Sequence, residues 1–96
     1  MAEAHVLVPS ALREYVGGAS ALAVAVPAQG SPLAEVLGAA LGPWPMAQRR
    51  VRDERDEIRT HVNVFVDGED VKRGAGLATT VRPGSRVHIL ASVAGG

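Results

Sequence analysis

Hydrophobic side chains recur along this 96-residue chain with two different periods, and each change of period marks where one element gives way to the next. Val6-Leu7-Val8 is a short β-branched run closed by Pro9-Ser10, and Ala21-Leu22-Ala23-Val24-Ala25-Val26 alternates small and large side chains up to Pro27. Both patterns predict strands. The connection between them, Ala11 to Ser20, is long for a hairpin and contains Gly17-Gly18, where a positive φ costs little. That pair fits either a phosphate-binding turn or a plain backbone bend, and we read it as a bend. The period then lengthens: Leu33, Val36, Leu37, Ala40 and Leu41 stand at i, i+3, i+4, i+7 and i+8 and form one apolar stripe that must lie on a sheet. Ser31 as N-cap, Pro32 at the first helical position and Glu35 in the first turn predict where this helix starts, and Gly42-Pro43 where it stops.

From Arg49 to Arg59 the chain is almost all charge of mixed sign, which predicts a solvated surface loop or short helix rather than an anion-binding patch. Thr60 to Val66 is the clearest strand. It ends at the turn dipeptide Asp67-Gly68 and is followed by a short segment around Asp70-Val71. Gly74 and Gly76 mark an irregular stretch, Leu77 to Val81 is partly extended, and Pro83-Gly84 turns the chain into a last strand, Arg86 to Val93. One helix covering one face of a sheet makes a compact α+β roll in which the first and last strands can lie side by side.

The two-residue period of strands then decides which face stays open. Val87, Ile89 and Ala91 share one face of the last strand, and His88, Leu90 and Ser92 the other. Val62, Val64 and Val66 oppose His61, Asn63 and Phe65, while Val6 and Val8 oppose His5 and Leu7. The valine-rich phase is the core. All three histidines therefore point away from the helix, on the side of Phe65, Leu90 and Leu7, and this grouping of apolar residues predicts a docking patch. No carboxylate or thiol shares those strand positions, so no metal site is expected.

Composition narrows the functions. Basic and acidic side chains balance at ten each, and aromatics number one Trp, one Tyr and one Phe. No field or stacking platform favours nucleic acid. The absence of cysteine excludes disulfides, Cys-zinc sites and thiol nucleophiles. The start lacks a signal-peptide pattern and the longest apolar stretch, Ala21 to Ala28, is too short for a bilayer, so a cytoplasmic protein without membrane partners is expected. Lys72 has no phosphate loop before it, and Gly74-Ala75-Gly76 lacks the third glycine of a dinucleotide fingerprint. ATP chemistry within this chain is not expected.

The remaining candidate chemistry is the main-chain end. With 11 glycines in the chain, two closing it by chance is roughly a one-in-a-hundred event. A Gly95-Gly96 tail lacks Cβ atoms, so it fits a narrow channel and leaves the Gly96 carboxylate as a reactive group. The expected unit is one domain, residues 1–96, with a flexible tail at about 93–96.

The stretch Val62 to Val71, continuing through Gly76-Leu77-Ala78-Thr79-Thr80-Val81 to Val87-His88-Ile89-Leu90-Ala91-Ser92-Val93-Ala94-Gly95-Gly96, resembles the ubiquitin-like sulfur carriers of the ThiS and MoaD type. Pro9-Ser10-Ala11-Leu12-Arg13 followed by Gly17-Gly18 resembles the opening of the longer members, and the likeness covers nearly the whole chain. Within the family, the length, the Leu12-Arg13 opening, Gly76-Leu77-Ala78-Thr79 and the Val93-to-Gly96 ending look most like the branch used in cysteine biosynthesis. Two features depart from the pattern: Pro83-Gly84-Ser85-Arg86 replaces an acidic turn, and a proline common near Ala91 or Ser92 is absent. The resemblance implies a β-grasp fold of four to five strands and one main helix. It implies a non-enzymatic carrier with no bound cofactor, whose Gly96 carboxylate is adenylated with ATP by an E1-like adenylyltransferase and sulfurtransferase. Sulfide or a persulfide then yields a terminal thiocarboxylate. Val93, Ala94 and Gly95 would serve as the thin lead to it, and Phe65, Leu90, His88 and Leu7 as docking residues. The implied sulfur acceptor is a synthase such as a PLP-dependent sulfhydrylase, and a metalloprotease would release product. Alternatives in the same chemistry are the small subunit of molybdopterin synthase and a carrier for thiamine or natural-product sulfur. From other classes come a ubiquitin-like protein modifier and a β-grasp interaction module without covalent role.

Overall fold

A computed structural model of the chain describes residues 2–91. In chain order the elements are β1 (Ala2–Leu7), β2 (Ala21–Val26), β3 (Ser31–Pro32), α1 (Leu33–Leu41), α2 (Pro45–Val51), β4 (Val62–Val66), β5 (Glu69–Asp70), β6 (Thr80–Val81) and β7 (Arg86–Ala91). The main sheet runs β2-β1-β7-β4-β5, and β3 pairs with β6 in a separate two-stranded ribbon. β1 and β7 are parallel neighbours, as expected for first and last strands, and the other pairs are antiparallel. The anticipated strand phase holds: Val6, Val62, Val64, Val66, Val87 and Ile89 are all buried.

The stripe of α1 packs on that valine face, with Leu33, Val36, Leu37, Ala40 and Leu41 buried. Each of the leucines and Val36 stabilises the fold by roughly 1.5–3 kcal/mol through apolar burial, and the Ala40 methyl by less. The helix starts one residue later than its local signals indicate. Ser31 is not the N-cap, and Pro32 is not the first helical residue. Both are extended and pair with Val81 and Thr80, and the Leu33 N–H donates to the Thr79 carbonyl at 2.8 Å. A tertiary acceptor thus replaces the side-chain cap.

Pattern reading also missed α2, because the charged run masks its apolar positions. Proline stands at its first residue, and Ala47 and Val51 are buried. The Arg49-to-Arg59 segment is accordingly not simply solvated. Arg52 is 9% exposed, its Nε donates to the Asp56 carbonyl at 2.9 Å, and Arg52 bridges Ile58 across a tight loop. Asp53 organises that loop, its Oδ1 accepting from the Arg55 N–H at 2.8 Å and the Glu57 N–H at 3.1 Å. Gly17-Gly18 is a bend, with φ of 67° and 85°. Trp44 packs over it so closely that a Cβ on Gly17 would lie 3.0 Å from the indole Cη2. A turn of 3₁₀ helix, Ser10–Val16, fills the connection before it and buries Leu12 and Val16.

Gly30 is the glycine the ribbon cannot spare. Its φ is 89°, and a Cβ there would sit 2.7 Å from Thr80 Cγ2 and 3.0 Å from the Val81 carbonyl oxygen. Gly30→Ala is expected to lower stability by about 1–3 kcal/mol, read as a shift of the urea midpoint without loss of β-sheet signal. The two backbone donors, chiefly those of Glu57 and Arg55, hold the Asp53 carboxyl below the usual carboxylate range. A carboxyl with a depressed folded pKa contributes order above its unfolded value and loses it as pH falls through the folded one. Protection of the Arg55 and Glu57 amides, taken relative to their intrinsic exchange rates, is therefore expected to fall below about pH 4, ahead of the sheet, and Asp53→Ala to lack it at every pH. Uniform exchange across the sheet and this loop would contradict that assignment.

Candidate functional surface

β7 lies between β1 and β4, so its outward side chains have neighbours on both sides. The register aligns Leu7 with His88 across the β1–β7 pair, His88 with Phe65 across β7–β4, and Phe65 with Asp70 across β4–β5. Side chains opposite one another on a sheet stand about 4.5–5.5 Å apart at Cβ, so these residues form one row across the open face. Leu90 stands two residues beyond His88 on the same face, opposite Asn63. It is 49% exposed, and Phe65 and Leu7 are half-buried. The predicted docking residues Phe65, Leu90, His88 and Leu7 are thus brought together. The histidines are not. His5 aligns with Arg86 on the rung below, and His61 precedes β4 in a turn.

Beyond Phe65 the row opens into a depression of about 530 Å³ lined by Phe65, Gly68, Glu69, Asp70, Arg73 and Gly74. Only Phe65 of this group was anticipated. The signal was present in Asp67-Gly68, since a two-residue turn opposes Val66 with Glu69 and Phe65 with Asp70. The Asp70 carboxylate accepts from the Lys72 N–H at 2.9 Å, which folds the chain back under the depression. Lys72, the lone lysine, spends its ammonium on the Arg59 and Thr60 carbonyls, both at 3.2 Å. It pins the entry to β4.

Asp67 was read only as a turn residue, but it ties this surface to the start of β7. Its φ is 49°, its Oδ2 accepts from the Ser85 hydroxyl at 2.9 Å and its Oδ1 from the Arg86 N–H at 2.9 Å. Ser85 is buried and its Oγ also accepts from the Arg82 N–H at 3.1 Å, so the Pro83-Gly84 turn is locked from both ends. The expected reactive residues Gly96, Gly95, Ala94 and Val93 lie outside the described residues. The described part of β7 runs to Ala91, directly after Leu90.

One helix laid on a mixed sheet, with first and last strands as parallel central neighbours, is the ubiquitin-like β-grasp. The chain belongs to the ThiS family, whose model matches residues 6–96. It is 34% identical to the sulfur carrier protein CysO of Mycobacterium tuberculosis, over 95% of this chain and 96% of that protein. The structure superposes on the CysO of the Amycolatopsis orientalis BexX/CysO complex with a TM-score of 0.75 at 31% identity, covering 97% of this chain and 99% of that one. SAMP1 of Haloferax volcanii shares the fold with a TM-score of 0.81 at 24% identity, over 98% of this chain and 99% of that one. Among the described residues no helix is long and apolar enough to cross a membrane.

The two kinds of residue on this surface separate by experiment. Asp67→Ala leaves the Ser85 hydroxyl and Arg86 N–H without their acceptor and is expected to cost about 1–3 kcal/mol. Leu90→Ala, at an exposed position, is expected to change stability by less than about 0.5 kcal/mol. Denaturant titration of the two variants checks both.

Proposed function

We propose that this protein is a sulfur carrier that is itself not an enzyme. The family match carries this reading, and a match that runs to Gly96 supports placing the chemistry at the chain's end. A carboxylate is a poor electrophile until one oxygen becomes a leaving group. In the proposed sequence the Gly96 carboxylate attacks the α-phosphorus of ATP on an E1-like partner, expelling pyrophosphate and forming an acyl-adenylate. Hydrosulfide then adds to the acyl carbon, the carbon–oxygen bond to AMP breaks with its electron pair leaving on AMP, and a thiocarboxylate remains. This anion passes sulfur to an acceptor synthase, with an activated serine on a PLP enzyme as the proposed acceptor. The likeness to a carrier of cysteine biosynthesis supports that choice.

The division of labour follows from the sheet. Val93 to Gly96 would span about 13 Å when extended, long enough to enter a partner's active site while the body stays outside it. The Leu7–His88–Phe65 row with Leu90 provides the apolar centre and Glu69, Asp70 and Arg73 the polar rim of a docking surface. The CysO of Amycolatopsis orientalis was solved in complex with BexX, which supports a partner-bound working state.

Intact-mass measurement after incubation with an E1-like enzyme, ATP and sulfide tests the reading. One oxygen-to-sulfur exchange is expected, absent when Gly96 is deleted. Higher-mass conjugates would replace the carrier reading by a modifier, and an unchanged mass with a competent enzyme would leave only an interaction module. Phe65→Ala combined with Leu90→Ala is expected to weaken partner-dependent thiocarboxylation by roughly tenfold or more in KM while leaving the fold intact. Unchanged KM would place docking elsewhere.

A further inference from the structure

β2 is an outer strand of the main sheet, and its six residues, Ala21-Leu22-Ala23-Val24-Ala25-Val26, carry no charge. The Val8 N–H donates to the Ser20 carbonyl at 2.8 Å, and the same register continues through Val6↔Leu22, Ala4↔Val24 and Ala2↔Val26. Hydrogen-bonded pairs recur at every second residue of an antiparallel ladder, so Leu22, Val24 and Val26 turn their peptide groups toward β1. The His5 N–H points the other way, to the Ser85 carbonyl at 3.0 Å, which agrees with this phase. Ala21, Ala23 and Ala25 therefore aim N–H and C=O away from β1. Among the described residues they have no backbone hydrogen bond to any other element.

An open edge of this length is normally blunted by lysine, proline, a bulge or a very short strand. β5, at the opposite edge, is two residues long. β2 has none of these protections before Pro27. We infer that the β2 edge pairs antiparallel with the β2 edge of a second copy of this chain, about a two-fold axis through Ala23.

Charge and register favour the second copy over other occupants. In that register Ala23 opposes itself, Ala21 opposes Ala25, and Leu22 opposes Val24 on the core side, where Leu22 is still half-buried. Glu3 stands beside Ala25 and Leu7 beside Ala21 within one copy. Across the axis each Glu3 therefore lines up with the other copy's Leu7 end rather than with the other Glu3, and no like charges meet. The formal net charge of zero adds no long-range repulsion. A charged peptide would find no complementary group along this strand. The interface is isologous and closes on itself, joining two five-stranded sheets into one. β1 separates β2 from β7 and β4, so Phe65 and Leu90 stay open in the pair.

Area sets the strength. One strand edge buries less than the roughly 1,200 Å² of a stable complex, so the dimer is weak, with a dissociation constant on the order of 10⁻⁴ M. Sedimentation equilibrium of the full chain from about 10 μM to about 1 mM is expected to show this monomer–dimer exchange. Ala23→Pro removes an outward N–H and none directed at β1, and it is expected to weaken the dimer at least tenfold. Ala23→Lys serves as a second variant should proline disturb the strand, with folding of both checked by circular dichroism. Amide shifts on dilution are expected to concentrate at Ala21, Ala23 and Ala25. A monomer throughout that range would overturn the inference. So would a dimer undiminished in a folded Ala23→Lys variant, or dilution shifts centred on Phe65, His88 and Leu90.

Discussion

The parallel pairing of β1 with β7 is the constraint from which the rest of the architecture follows. Two strands from opposite ends of the chain lie side by side in the middle of the sheet, so β2 and β4 can only attach outside them. A parallel pair requires a long crossover, and here the crossover includes α1, which seals one face of the sheet. The His5 N–H and Ser85 carbonyl anchor the start of that pair, and the Gly84 N–H donates to the Glu3 carbonyl at 2.9 Å alongside it. The Asp67 carboxylate fixes the same corner from the β4 side through Ser85 and Arg86. Central placement thus aligns Leu7, His88 and Phe65 on one rung, with Leu90 two residues further along the same face of β7.

The two faces of the sheet do opposite work with the same alternation. On one side Val6, Val64, Val87 and Ile89 meet Leu33, Leu37 and Leu41 in a continuous core. On the other, half-exposed apolar side chains surround His88 without covering it. The two edges differ as well. β5 is only two residues long, while β2 has six residues and no charge. The short edge beside the depression at Phe65 leaves few backbone groups there for another strand to pair with.

Much of this was readable from residues alone. The period of two in Val62 to Val66 and in Arg86 to Ala91 assigned the core face correctly, since a one-residue slip would have placed every valine in water. The stripe of α1 was equally plain. What failed depended on partners distant in sequence. Ser31 and Pro32 carry strong helix-start signals, but the Thr79–Val81 backbone offers them a ladder that local propensity does not register. Arg52 reads as surface charge, yet the Asp56 carbonyl satisfies its Nε and permits its burial. Asp67 reads as a turn former, and its bonds to Ser85 and Arg86 exist only because β7 returns beside β4.

The sequence by itself determined the long strands and α1, the side each strand turns to the core and the family, because side-chain period and turn chemistry are properties of neighbouring residues. Tertiary structure alone decided which outward residues share a rung, that a depression opens beside Phe65, and that among the described residues no strand pairs with the outer edge of β2. Those depend on strand order and register, which arise from hydrogen bonds between segments far apart in the chain, as when His5 lies against Ser85.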